Sequence, residues 1–131
     1  MVNWDGLNRR RFPRVRYPCL IVIRSEEQDN NVILTHTENI GVGGVCIVLK
    51  EPLKMFSNIT IELDLLDMES HIKCEGKIMW CVQRSGSADK KPLFYDMGIE
   101  YVGLDEKELK RLDSIVVRLV KQNREVPYNE K

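Results

Sequence analysis

From Asn58 to Leu66 the chain alternates without a break: Ile59, Ile61, Leu63 and Leu65 fall on one side, Thr60, Glu62 and Asp64 on the other. A period of two predicts a half-buried β-strand. Five further runs have strand character. Tyr17 to Arg24 comes first, and the polar stretch Ser25 to Asn31 separates it from Val32 to Ile40, which stops at Gly41. Val45 to Leu49 is short and wholly apolar, and Lys50 to Ser57, with Pro52, connects it to the alternating run. After a tight turn at Asp67 to Glu69, Ser70 to Val82 places Ile72, Cys74, Gly76, Ile78, Trp80 and Val82 on one face. Gln83 to Pro92 is a loop rich in Ser, Gly and Lys. The last run, Leu93 to Val102, puts Leu93, Tyr95, Met97, Ile99 and Tyr101 together. Antiparallel runs joined by short turns predict a small closed barrel or a sandwich, and closure removes exposed strand edges.

The period then changes. Asp105 followed by Glu108 is a capping-box pair, and Leu109, Leu112, Val116, Leu119 and Val120 recur at helical spacing. One amphipathic helix is expected over about 105–122, lying on the barrel or across one open end. Residues 123–131 are expected to form a frayed tail. Residues 1–16 show no period, and Pro13 and Pro18 oppose a helix there. They form a flexible basic arm in this reading, and residues 17–122 form the barrel and its helix.

Composition narrows the function classes. A chain of 131 residues, 43% hydrophobic and 31% charged, suits one folded domain with one core. Twenty Lys+Arg balance twenty Asp+Glu, which argues against a nucleic-acid polymer as partner. The charge is nevertheless uneven. Arg9, Arg10, Arg11, Arg14, Arg16 and Arg24 crowd the first segment, where Asp5 is the only acid. Such a cluster on a neutral protein suits a small anionic ligand, the alternative being a solubilising arm. The four cysteines, Cys19, Cys46, Cys74 and Cys81, have no C-x-x-C spacing and sit in apolar runs, as free thiols do in a reducing cytoplasm. His36 and His71 are isolated, so no metal site is expected. No apolar run approaches the ~20 residues that span a bilayer, and no secretory signal is visible, so a cytoplasmic protein is expected. The absence of G-x-S-x-G, H-E-x-x-H and P-loop motifs points away from an enzyme.

Two motifs remain. Arg9-Arg10-Arg11-Phe12-Pro13-Arg14 contains an i, i+4 arginine pair, Arg10 and Arg14. A guanidinium presents a planar fork of donors that fits a phosphate or the O6/N7 edge of guanine. Asn39-Ile40-Gly41-Val42-Gly43-Gly44 lies between the second and third runs. Its glycines permit positive φ and close backbone approach, and Asn39 can both donate and accept. Taken alone, the glycine run is equally a tight β-turn.

Together the motifs resemble the PilZ family, whose pattern is R-x-x-x-R followed two strands later by [D/N]-x-S-x-x-G. This chain has Arg10-x-x-x-Arg14 and Asn39-x-Gly41-x-x-Gly44, and the resemblance extends over roughly residues 8–120. Lys77-Ile78-Met79-Trp80 and Met97-Gly98-Ile99-Glu100-Tyr101 resemble the family's later strands. The resemblance implies a six-stranded antiparallel split barrel with a C-terminal helix, mainly β. It also implies a non-enzymatic receptor for the bacterial second messenger cyclic di-GMP. By the same resemblance Arg10 and Arg14 hold guanine edges and phosphates, and Asn39 holds a second guanine edge or orients the arm. Gly41 and Gly44 admit the backbone. Arg9 and Arg11 add donors compatible with two stacked nucleotides. Trp80 either stacks on a guanine or plugs the barrel beside Ile78. The implied output is ordering of the arm, read by an unidentified effector in motility, pilus, polysaccharide or regulatory machinery.

One departure stands out. Gly41 replaces the family serine, and a lost neutral hydrogen bond of about 0.5–1.5 kcal/mol weakens binding by up to roughly tenfold. A degenerate adapter that has lost nucleotide binding is the main alternative. A small-barrel binder of single-stranded RNA is a more distant one, since aromatics are only 7% and fall mostly on predicted core faces.

Overall fold

A computed structural model of the protein describes residues 13–25, 31–84 and 94–126. The chain forms seven strands and then a helix: β1 Arg14–Arg16, β2 Leu20–Ser25, β3 Asn31–Gly41, β4 Gly44–Leu49, β5 Asn58–Asp64, β6 Ile72–Arg84, β7 Phe94–Val102 and α1 Glu106–Lys121. All pairings are antiparallel. The order β3-β2-β5-β6-β7-β4 closes on itself through β3–β4, giving a six-stranded barrel with β1 as an extra strand. β1 lies on the same edge of β3 as β2, further along: Leu20 to Ser25 pair with His36 to Asn31, and Arg14 to Arg16 pair with Gly41 to Asn39. Pro18, which has no N–H to offer a ladder, falls in the break between the two.

The alternation seen in the sequence fills the barrel. Ile21, Ile23, Ile40, Ile47, Leu63, Ile72, Ile78 and Met97 are fully buried, together with Val15 and Val45. β-branched side chains suit this closely packed, pleated interior. The helix contributes Leu112, Ile115, Val116 and Leu119. Its capping box forms as the sequence implies: the Glu108 N–H donates to Asp105 Oδ1 at 2.8 Å and the Asp105 N–H to Glu108 Oε1 at 3.5 Å. Arg111 fixes the helix to the β5–β6 turn, its Nη2 lying 3.0 Å from both carboxylate oxygens of Asp67.

Two segments at the ends of the sequence meet. The Arg16 N–H donates to the Arg124 carbonyl at 2.9 Å, and the Val126 N–H to the Arg14 carbonyl at 2.8 Å. Val15 and Glu125 form an antiparallel bridge. β1 therefore has β3 on one edge and the chain following α1 on the other. Residues 14–16 of the segment read as an arm are thus strand, and residues 124–126 of the segment read as a tail pair with them. Residues 1–12 and 127–131, which carry the rest of both readings, lie outside the described residues.

Two register shifts alter which side chains face outward. Between Thr37 and Asn39 the β3–β4 register slips, so that buried Thr37 opposes Ile47 while Asn39 opposes Cys46. Between Ile78 and Trp80 the β6–β7 register slips, so that Ile78 opposes Ile99 but Trp80 opposes Gly98. An extra residue in a strand reverses its alternation. Trp80 consequently faces away from the core that Ile78 enters, and Cys81 takes its place opposite buried Met97. The expectation that Trp80 and Val82 share a face with Ile78 is corrected by this bulge, and with it the reading of Trp80 as a barrel plug.

Bulky residues occupy left-handed backbone at Phe56 (φ 64), Leu66 (φ 58) and Met68 (φ 67), a conformation that costs an L-residue about 1–2 kcal/mol. Gly103 is the only described glycine with positive φ, so Gly41, Gly43 and Gly44 do not use the freedom expected of them. Absence of a side chain is what matters at three glycines: a Cβ on Gly44 would overlap the Ile99 carbonyl oxygen, one on Gly98 the Trp80 indole and one on Gly76 the Ile99 Cγ2 methyl. A Cβ on Gly43 meets nothing within 4 Å. Gly44→Ala and Gly98→Ala should each destabilise the fold by about 1–3 kcal/mol in denaturant titrations, while Gly43→Ala stays within about 0.5 kcal/mol of wild type.

All four cysteines are free. Burial pushes the Cys46 and Cys74 thiols up from 9.0 to about 11. A raised thiol pKa means the folded chain holds protons that the unfolded chain has released. The associated stability is complete below the unfolded value and disappears as pH passes through the folded one. Thermal midpoints measured across pH should therefore decline between pH 9.0 and about 11, and a Cys46→Ala/Cys74→Ala variant should decline less steeply over that window.

Candidate functional site

The two register shifts and the attachment of β1 bring chemistry from distant parts of the sequence onto one outer face. Directly paired residues of neighbouring strands point to the same side of a sheet. Arg16 pairs with Asn39, Asn39 with Cys46, Cys46 with Gly98 and Gly98 with Trp80. This row crosses β1, β3, β4, β7 and β6, and at about 4.8 Å per strand it extends roughly 19 Å. The core lies behind it, in the neighbouring pairs Val15–Ile40, Ile40–Val45, Val45–Ile99 and Ile99–Ile78.

Arg14 and Gly41 extend the row at its β1 end, where they are directly opposed. The Arg14 Nη1 donates to Asn39 Oδ1 at 3.4 Å, a long bond that points the guanidinium across β3. Gly41 makes room for this. A Cβ there would lie 3.1 Å from the Pro13 carbonyl oxygen and 3.4 Å from Arg14 Cγ. The glycine that removes the family hydroxyl thus also lets the arginine-bearing strand lie close. Asn39 and Cys46 form the floor of the face, each 5% exposed. Among the charges felt by the Cys46 thiol are Asp96, which raises its pKa, and Arg14, which lowers it; burial is the larger cause of its upward shift. At the far end the Trp80 indole lies over the Gly98 α-carbon and is only partly buried.

Of the residues the sequence singled out, Arg14, Asn39, Gly41 and Trp80 therefore share this face. Gly44 sits in β4 opposite Glu100, with its bare α-carbon against the Ile99 carbonyl. Arg9, Arg10 and Arg11 lie outside the described residues, immediately before the segment that enters the face. Arg16, Cys46 and Gly98 were not singled out. Gly98 carried a usable signal, because a glycine inside a strand marks a close approach. Arg16 was marked only as one of the crowded arginines and Cys46 only as a free thiol, since their place depends on pairing partners.

The arrangement can hold a flat, anionic ligand. Two guanidinium-bearing positions and an amide stand at one end, an aromatic plane at the other, and a nearly featureless floor of small residues lies between. Among the described residues no group of His, Cys, Asp and Glu could hold a metal ion, and no helix is long and apolar enough to cross a membrane.

Similarity to known proteins is consistent at the level of fold. The Bacillus subtilis inhibitor of motility MotI/DgrA superposes with a TM-score of 0.70 at 19% identity, over 88% of this chain and 53% of that one. The PilZ domain of Escherichia coli YcgR, solved with c-di-GMP, gives 0.65 at 16% identity over 88% of this chain and 95% of that domain. K. pneumonia MrkH in its c-di-GMP complex gives 0.69 at 16% identity over 87% and 53%. The chain thus spans about half the length of MotI and MrkH and nearly all of the isolated YcgR domain. No curated protein matches it by sequence. The PilZ domain model matches residues 8–118, most of the chain, and with the barrel, its C-terminal helix and the two opening motifs in place, the protein belongs to the PilZ domain family.

Proposed function

We propose that this protein is a non-enzymatic receptor for cyclic di-GMP, and that it binds the nucleotide on the outer row running from Arg14 and Arg16 to Trp80. The observation that carries the reading is the pair of bulges. They turn Asn39 and Trp80 outward together, onto the face that Arg14 enters. That the YcgR domain and MrkH are c-di-GMP complexes on the same fold supports the choice of ligand.

In this mechanism Arg14 exchanges its long bond to Asn39 for bonds to a guanine edge or phosphate, and Asn39 is released to pair with a base edge. Arg10 reaches the ligand from the segment before β1, with Arg9 and Arg11 as further donors for a second, stacked nucleotide. Closing that segment costs about 1–2 kcal/mol of backbone entropy per residue fixed. Hydrogen bonds to charged groups, at about 1.5–3 kcal/mol each, offset it. Trp80 supplies a stacking plane for a base. The output is a changed surface offered to a cytoplasmic protein partner, not a changed ligand. Gly41 favours one rival, a nucleotide-free adapter, because the family hydroxyl is missing there.

Titration calorimetry with cyclic di-GMP, GTP and a short RNA separates these readings. Saturable binding is expected for cyclic di-GMP alone. Arg14→Ala should weaken it at least tenfold, a loss of about 1.4 kcal/mol or more. Gly41→Ser should tighten it by up to about tenfold once the Pro13 carbonyl gives way. Absence of heat with all three probes leaves the adapter. One nucleotide per chain at saturation removes the stacked pair.

A further inference from the structure

The β5–β6 ladder ends in regular register at Asn58–Lys77, but the chain continues beside β6. The Phe56 N–H donates to the Ile78 carbonyl at 2.6 Å, and the Ile78 N–H to the Ser57 carbonyl at 3.1 Å. Two residues, Phe56 and Ser57, therefore oppose one. This is the bulge whose first residue is ordinarily a left-handed glycine. Here that position, with φ 64, is filled by a phenylalanine. Its side chain is 59% exposed, so burial does not repay the backbone strain. Leu66 and Met68 share the left-handed conformation, but in a turn at the opposite end of β5 that Arg111 clamps to the helix.

The neighbours of Phe56 are equally unusual. Met55 is 44% exposed, and Met79, the extra residue of the β6 bulge, is 36% exposed. The Ser57 N–H closes a turn onto the Lys54 carbonyl at 3.2 Å, so Met55 and Phe56 form its corner beside Ile78, on the edge of β6 away from Gly98. Two bulges on opposite edges of β6 thus leave an exposed aromatic ring and two exposed thioethers within a few residues of the position that turns Trp80 outward. Soft, polarisable groups of this kind suit the face or edge of a purine.

We infer that Phe56, with Met55 and Met79 beside it, is a further ligand-contacting residue that bounds the Trp80 end of the face and takes a guanine base there. This rests on the reading of the face as a cyclic di-GMP site. The strain at Phe56 is kept because glycine, which the backbone prefers, offers no base contact. Function and stability are then opposed at this position.

The opposition is what an experiment reads. Phe56→Gly and Phe56→Asn both tolerate left-handed backbone and both lack the ring. Each should raise the melting temperature of the ligand-free protein, by about 3 °C for glycine. Each should also weaken cyclic di-GMP binding in calorimetry by about 5- to 150-fold, the range for one lost stacking contact. Phe56→Tyr should bind within about threefold of wild type, since the ring remains. Unchanged affinity in Phe56→Gly, with Arg14→Ala still impaired, overturns this inference and leaves the receptor reading standing. A drop in melting temperature alongside affinity shows a structural role and also overturns it. No binding by wild type sinks both.

Discussion

A strand with one face in a core offers its side chains to solvent in strict alternation, and one extra residue reverses that alternation for everything downstream. The barrel uses this constraint twice, at Glu38 in β3 and at Met79 in β6. Without the first shift Asn39 would share the inward side of Thr37, and without the second Trp80 would follow Ile78 into the core. The outer row proposed as the binding face exists because two strands each hold one residue more than their partners, at positions that bring an amide and an indole to one side. The floor between them, Cys46 and Gly98, is small enough to let a flat molecule lie down.

The arginine end depends on a different kind of restraint. β1 is only three residues long, yet both its edges are paired, with β3 on one side and with Arg124 to Val126 on the other. A strand so short gains little from its own ladder. Its position comes from Val15 in the core and from α1, which carries the returning chain to its outer edge. Arg14 is thereby presented from a fixed backbone, held by pairing on both edges of its strand. A guanidinium anchored in this way loses less freedom on binding than one on a loose chain.

Much of the barrel was legible in the sequence because its strands are rich in isoleucine and valine at a period of two, and because the helix announces itself with Asp105 and Glu108. Arg14, Asn39 and the glycine turn were legible by their motif. What the sequence hid follows from pairing. Glu38 and Met79 are ordinary residues, and nothing within their own strands shows that the partner strand has one residue fewer. Trp80 therefore looked like a companion of Ile78, two positions away. Arg14-Val15-Arg16 is too short an alternation to read as a strand, and its second edge is supplied by residues at the other end of the chain. Phe56 was hidden for a third reason: left-handed backbone is not written in a residue that ordinarily avoids it.

The bridge between Val15 and Glu125 has a bearing on biosynthesis. A ribosome makes the arginines well before the segment that completes their strand. Every barrel strand and the helix must be made before β1 gains its outer partner, and contacts so remote in sequence form late in folding. A nascent chain therefore carries the basic cluster well before the strand that presents Arg14 is complete, and that strand is complete only after α1 and the residues behind it have been made.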